Sequence, residues 1–250
     1  LLDKALNNIR SKPLASTALV TLLRQSDQTS VENGLFMESL TYSTLQHGQD
    51  FMRWLTTRDA TKAAEVSNGP VVTVQREDNQ LILTLNRPHK HNAFSAAMRD
   101  DLCEALVFAH ADKSIEQVIL RGAGPSFSAG GDLQEFGHAR DATLAHLTRI
   151  TRSPARLIHD LSNRTTVYLQ GACIGAGIEM SAFAHRVVAA QDAYFALPEV
   201  GFGLVPGAGG TVSIPRRIGR HRTTAMALSG ASIDTTLALK WGLIDEVGQS

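Results

Sequence analysis

From Val71 onward, short β-branched runs alternate with amphipathic helical stretches, and that alternation restricts this part of the chain to a largely parallel α/β sheet. The strands read as VVTVQ (71–75), LILTLN (81–86), QVILRG (117–122), TTVYLQG (165–171) and segments near RVVAAQ and AYFAL. Helices are expected after Ser95, a capping residue followed by an inward stripe of Met98, Leu102, Leu106 and Ala109, then through a stretch ending near Leu161, and again from about Ala176. Asp234 is placed to cap a last helix that Gly242 ends. Ahead of SNGP (67–70) the character changes. Residues 1–66 read as helices broken at Lys12-Pro13, at SDQTS (26–30) and at His47-Gly48. Ser30 can cap one of them, with Val31, Leu35, Leu40, Tyr42 and Leu45 as its stripe; Phe51, Trp54 and Leu55 share a side of the next.

The chain has 250 residues, 43% of them hydrophobic, enough for one well-buried domain. Lys plus Arg (24) balances Asp plus Glu (24), so no overall field draws it to nucleic acid or an anionic membrane, and an anionic ligand must be held by local groups. Cys103 and Cys173 lie in apolar segments and read as packed thiols, which points to a reducing, cytoplasmic setting. LASTALVTLL (14–23), preceded by Lys4, Arg10 and Lys12, superficially resembles a secretory signal. It is too short to span a bilayer and is read as a buried helix. His138, His146 and His159 have no ligand-like spacing, so no metal site is expected.

Three glycine-rich loops follow strands: FSAGGDL (127–133), QGACIGAGIEMS (170–181) and ALPEVGFGLVPGAGGT (196–211). Glycine lets backbone N–H groups approach a ligand closely, and two donors from separate loops make an oxyanion hole. Glu179 and Glu199 sit in two of these loops. Glu179 is expected in the first turn of a helix, near unpaired N–H groups. Taken singly, each feature has a plainer explanation: sharp turns for the glycines, a helix dipole for Glu179, an arginine partner for Glu199.

The ordered set LNRPHKHNAF (85–94), FSAGGDL, QGACIGAGIEMSAFAHRVVAA (170–190), FALPEVGFGLVPGAGGT (195–211) and SGASIDTTLALKWGLIDEV (229–247) resembles the enoyl-CoA hydratase/isomerase (crotonase) superfamily. The resemblance implies an α/β crotonase-like ββα spiral over 71–250, with an acyl-CoA thioester as substrate, no cofactor beyond the coenzyme A of that substrate, and a homotrimer or homohexamer. It implies Glu179 and Glu199 as catalytic residues, and the N–H groups of Ala129 and Ala176 as the oxyanion hole. Substrate contacts carried over are His89, Lys90, His91, Ala93, Gly130, Gly131, Asp132 and Gly175, although Asp132 also suits a helix cap and Lys90 a solvated loop. The activity implied is syn hydration of a 2-enoyl-CoA. Isomerisation, thioester hydrolysis and decarboxylation use the same enolate chemistry, and a catalytically silent or RNA-binding relative is the rival from outside enzymology. RRIGRHR (216–222) could assist the CoA phosphates or form a charged surface helix. Residues 1–66 resemble the family's closing helices, which normally follow a GLIDEV-type segment, so the resemblance implies a circularly permuted order.

Overall fold

A computed structural model describes residues 2–25, 28–58, 69–139 and 141–248. β1 (Val72–Glu77) and β2 (Gln80–Leu85) form an antiparallel hairpin that turns at Asp78, whose φ of 51° lies in the left-handed region open to Asp. β2 then pairs in parallel with β3 (Gln117–Gly122), β3 with β4 (Thr165–Leu169), β4 with β6 (Arg186–Ala189) and β6 with β9 (Glu246–Val247). This completes a six-stranded sheet. A second sheet of three strands joins β5 (Ala172–Ile174), β7 (Tyr194–Ala196) and β8 (Ile233–Asp234).

The expected caps form. Ser95 Oγ accepts the Met98 N–H at the start of α5 (Ala96–Ala111), whose buried face includes Met98, Leu102, Leu106 and Ala109. Asp234 accepts the Leu237 N–H at the start of α11 (Thr235–Trp241), and Gly242 closes that helix with φ 85°. The stretch expected to be helical up to Leu161 is divided. A short turn at Leu133–Glu135 precedes α6 (Ala142–Thr151), and Ser153 with Pro154 ends that run and starts α7 (Pro154–Asp160).

The amino-terminal part is four helices, α1 (Leu2–Ser11), α2 (Pro13–Gln25), α3 (Val31–Gln46) and α4 (Gln49–Thr56). They break where the sequence places the breaks, while 59–66 fall outside the described residues. These helices share the core of the α/β part: Leu19, Leu23 and Phe51 pack in one cluster with Leu83, Leu120, Val167 and Phe195. The Asn8 side chain donates to Leu228 O at 2.8 Å, tying α1 to α10 (Arg220–Ser229). In α3 the expected stripe is wrong in part. Leu40 is exposed, and the buried face carries Gly34, Glu38, Ser39 and Ser43 beside Leu45. The reason is what α3 faces: polar groups of α6 and the N-terminus of α9 (Gly210–Ile218), which reward hydrogen-bonding side chains over leucines.

Both cysteines are free and buried. Among the described residues, no helix is long and apolar enough to cross a membrane.

Candidate active site

α8 (Ala176–Ser181) begins at Gly175, which has φ 50° and ψ −122°. A side chain there would be strained and would also collide, because a Cβ would lie 2.4 Å from Glu199 Oε1 and 3.6 Å from Glu179 Oε1. The two carboxyls therefore converge over one glycine. Both are buried, Glu179 at 2% exposure and Glu199 at 8%.

Their partners differ. Glu179 Oε2 accepts the N–H groups of Ala208 (2.7 Å) and Gly210 (2.9 Å). The donors that hold this carboxylate thus belong to the entry of α9, whereas the sequence reading placed them in Glu179's own first turn; its own N–H donates to Gly175 O. Glu199 Oε2 is buried with no hydrogen-bond partner, and no arginine pairs with Glu199 among the described residues.

A third carboxylate, Glu38 of α3, stands behind the pair. Its Oε1 accepts from Gly209 N (2.7 Å), and its Oε2 from Thr211 N (2.8 Å) and Thr211 Oγ1 (2.7 Å). Consecutive amides of 208–211 thus alternate between Glu179 and Glu38. Tyr42, one turn along α3, lies against Gly207, where a Cβ would sit 2.2 Å from its ring. Sequence reasoning missed Glu38 because the only signal was an acid within an otherwise ordinary helix.

Burial raises all three acids. It lifts Glu199 to about 8, helped by the Glu38 charge, and Glu38 to about 7 against the pull of its hydrogen bonds. Glu179 is raised well above the usual carboxylate range by burial and then by the charges of Glu199 and Glu38. Two backbone N–H donors favour the negative charge on Glu179, whereas Glu199 Oε2 has no hydrogen-bond partner, so Glu199 is where a proton is best kept.

The FSAGGDL loop corrects one expectation. Ala129 is exposed and its N–H donates to His91 O at 2.9 Å, so that donor is already used. In the same loop Gly131 has no acceptor for its N–H among the described residues, and neither does Ala176 at the start of α8. Gly131 and Ala176 line one cavity of about 230 Å³ together with Glu179, Glu199, Asp132 and Tyr42. The residue after Gly130 (φ 91°), and not the one before it, therefore offers the open amide.

Asp132 caps the following turn through Gln134 N and forms a buried ion pair with Arg87 at 2.8 Å, a structural post at the cavity wall. Gly130 O accepts from Phe94 N. Lys90 donates to Gln134 Oε1, His91 contacts Ser126 Oγ through Nδ1, His89 is exposed, and Ala93 accepts from Arg87 through its carbonyl. Fully buried Asn92, unremarked in the sequence, organises this loop: its Oδ1 accepts from Arg87 N and its Nδ2 donates to Ala123 O and Ser126 O. The 216–222 cluster is structural where it can be followed: Arg217 binds Asp245 and the carbonyls of Ala182 and Ala184, and Arg222 covers Trp241.

A spiral of parallel strands that buries two facing carboxyls beside open backbone amides defines a crotonase-like acyl-CoA fold. The chain belongs to the enoyl-CoA hydratase/isomerase family, whose sequence model matches residues 75–249. It is 36% identical over 174 residues to the 2,3-dehydroadipyl-CoA hydratase of Escherichia coli, covering 70% of this chain and 68% of that protein. It is 33% identical over 176 residues to the 1,2-epoxyphenylacetyl-CoA isomerase of the same organism, covering 68% and 67%. A crystal structure of an enoyl-CoA hydratase from Thermoplasma volcanium superposes with a TM-score of 0.67 at 30% identity, over 73% of each chain.

Proposed function

We propose that the protein is an enoyl-CoA hydratase that adds water syn across the double bond of a 2-enoyl-CoA. The observation that carries this reading is the pair of buried carboxyls with unequal partners, Glu179 Oε2 held by two amides from the start of α9 and Glu199 Oε2 with no partner, beside the open amides of Gly131 and Ala176. The thioester oxygen accepts from Gly131 N–H and Ala176 N–H, which stabilise the enolate as it forms. Glu179 in its ionised form takes a proton from water as the water oxygen attacks C3. Glu199 gives its proton to C2 as the enolate collapses. Burial holds both carboxyls above the ordinary carboxylate range, and the amides of Ala208 and Gly210 make Glu179 the better of the two to carry the negative charge.

Loss of the conjugated enoyl-thioester absorbance, followed with enoyl-CoAs of several chain lengths, tests the reading. Wild type consumes at least one of them, and Glu179→Gln and Glu199→Gln each lower kcat by roughly 10²–10⁴-fold. Full activity in either variant refutes the assignment.

We further propose that α1–α4 act as the closing helices of this same domain, in permuted order, and that the chain assembles as a trimer or a dimer of trimers. The shared core of Leu19, Leu23 and Phe51 with the sheet supports the first part.

A further inference from the structure

Beside the catalytic cavity lies a second, of about 320 Å³, bounded by α3, α6, α7 and the 207–209 segment. The two share Phe94, Arg99, Arg149, Gly207 and Ala208 as walls. An acyl chain whose C1 sits at the amides of Gly131 and Ala176 and whose tail passes these shared residues would enter this second space. Its walls are largely apolar, with Leu35, Phe36, Ile150, Pro154, Ala155 and Met180 suited to methylene groups.

Six charged side chains also reach its walls, Glu32, Glu38, Arg99, Arg149, Arg152 and Arg156, and of the four arginines Arg149 is the one in no ion pair among the described residues. Arg149 of α6 is half-buried, with its guanidinium 4.5 Å from the centre of the Tyr42 ring. Its protein partners are all neutral: Nη1 donates to Ser43 Oγ (2.8 Å) and more weakly to Ser39, and Nη2 donates to Gln46 Oε1 (2.6 Å). The charges around it are otherwise spoken for. Arg99 and Arg152 pair with Asp100, Arg156 pairs with Glu32, and both oxygens of Glu38 are committed to the start of α9. No ion pair among the described residues includes Arg149. A guanidinium has five N–H donors, and the bonds above leave Nε–H and one Nη2–H open, enough to grip a carboxylate. Glu38 acts on Arg149 only through its longer-range field, and a half-buried cation with no direct ion pair is stabilised by an anion that arrives with the ligand.

We propose that Arg149 anchors a carboxylate at the far end of the acyl chain, so that the substrates are 2-enoyl-CoA thioesters of dicarboxylic acids. This rests on the hydratase reading for the word substrate, but the anchor can be tested without turnover. Saturated thioesters carry no double bond to hydrate, so their binding reports recognition alone. Titration calorimetry with the six-carbon dicarboxylic monothioester of CoA and with hexanoyl-CoA gives the comparison. Wild type is expected to bind the dicarboxylic thioester about 10- to 100-fold more tightly. That gap closes in Arg149→Gln and is partly retained in Arg149→Lys, which keeps the charge but loses the fork. Equal or weaker binding of the dicarboxylic thioester by wild type overturns the proposal, whatever the variants do. A gap that persists in Arg149→Gln overturns it as well. If the gap is present while both matching 2-enoyl thioesters remain unhydrated, the anchor stands and the hydratase reading falls.

Discussion

At the scale of single residues, the site depends on where protons sit and on which amides remain open. Glu199 titrates near 8 in the folded chain against an ordinary value of 4.5, so between those pH values the folded protein keeps a proton that the unfolded chain has lost. Stability therefore falls as pH rises through that window, and Glu38 and Glu179 act in the same direction. Urea unfolding of Glu199→Gln should show a shallower decline from pH 5 to pH 8 than wild type, because the amide has no proton to lose. In wild type, kcat/KM should drop above about pH 8, as the proton destined for C2 leaves the pair. The amides give a second test. Ala176 is the first residue of α8, where proline is tolerated by helix geometry, so Ala176→Pro deletes the N–H and should lower kcat about 10²- to 10³-fold in a folded protein. Glu179 and Glu199 were legible in the sequence because they lie within glycine-rich strings of recognisable order. The open amide was misassigned to Ala129, since which of four consecutive N–H groups is consumed depends on a pairing with His91, nearly forty residues earlier, that no local string records.

At the scale of elements, the start of α9 is the part that binds the site together. Four successive amides are divided between a carboxylate from α8 and one from α3. Replacing Glu38 with Ala strands the N–H groups of Gly209 and Thr211, and should cost about 3 kcal/mol in denaturant unfolding while also lowering kcat through the loosened hold on Glu179. The helices and strands themselves were readable, since caps at Ser30, Ser95 and Asp234 and breaks at Pro13 and Gly48 act through neighbours in sequence. The inward face of α3 was not. Periodicity looks for apolar residues, and this helix buries Gly34, Glu38, Ser39 and Ser43 because its neighbours are polar. Arg149 was hidden for the same reason: its lack of a direct ion pair among the described residues is a property of α3, α6 and α7 assembled.

At the scale of the whole molecule, two stretches of sequence with different composition make one core. α2 and α4 supply Leu19, Leu23 and Phe51 to the cluster that holds the sheet, and α3 supplies Glu38 and Tyr42 beside the carboxyl pair. A rearranged gene that places residues 1–66 behind Ser250 should therefore give a folded protein with wild-type kcat/KM, and an inactive, folded rearrangement would count against the proposed order. The central claim, that two glutamates hydrate an enoyl thioester, is tested most directly by mass spectrometry of the product formed from a 2-enoyl-CoA. The account predicts a 3-hydroxyacyl-CoA heavier than the substrate by one water, formed by wild type and lost in both Glu179→Gln and Glu199→Gln. A product of unchanged mass with a shifted double bond, or water addition that survives either substitution, would contradict it.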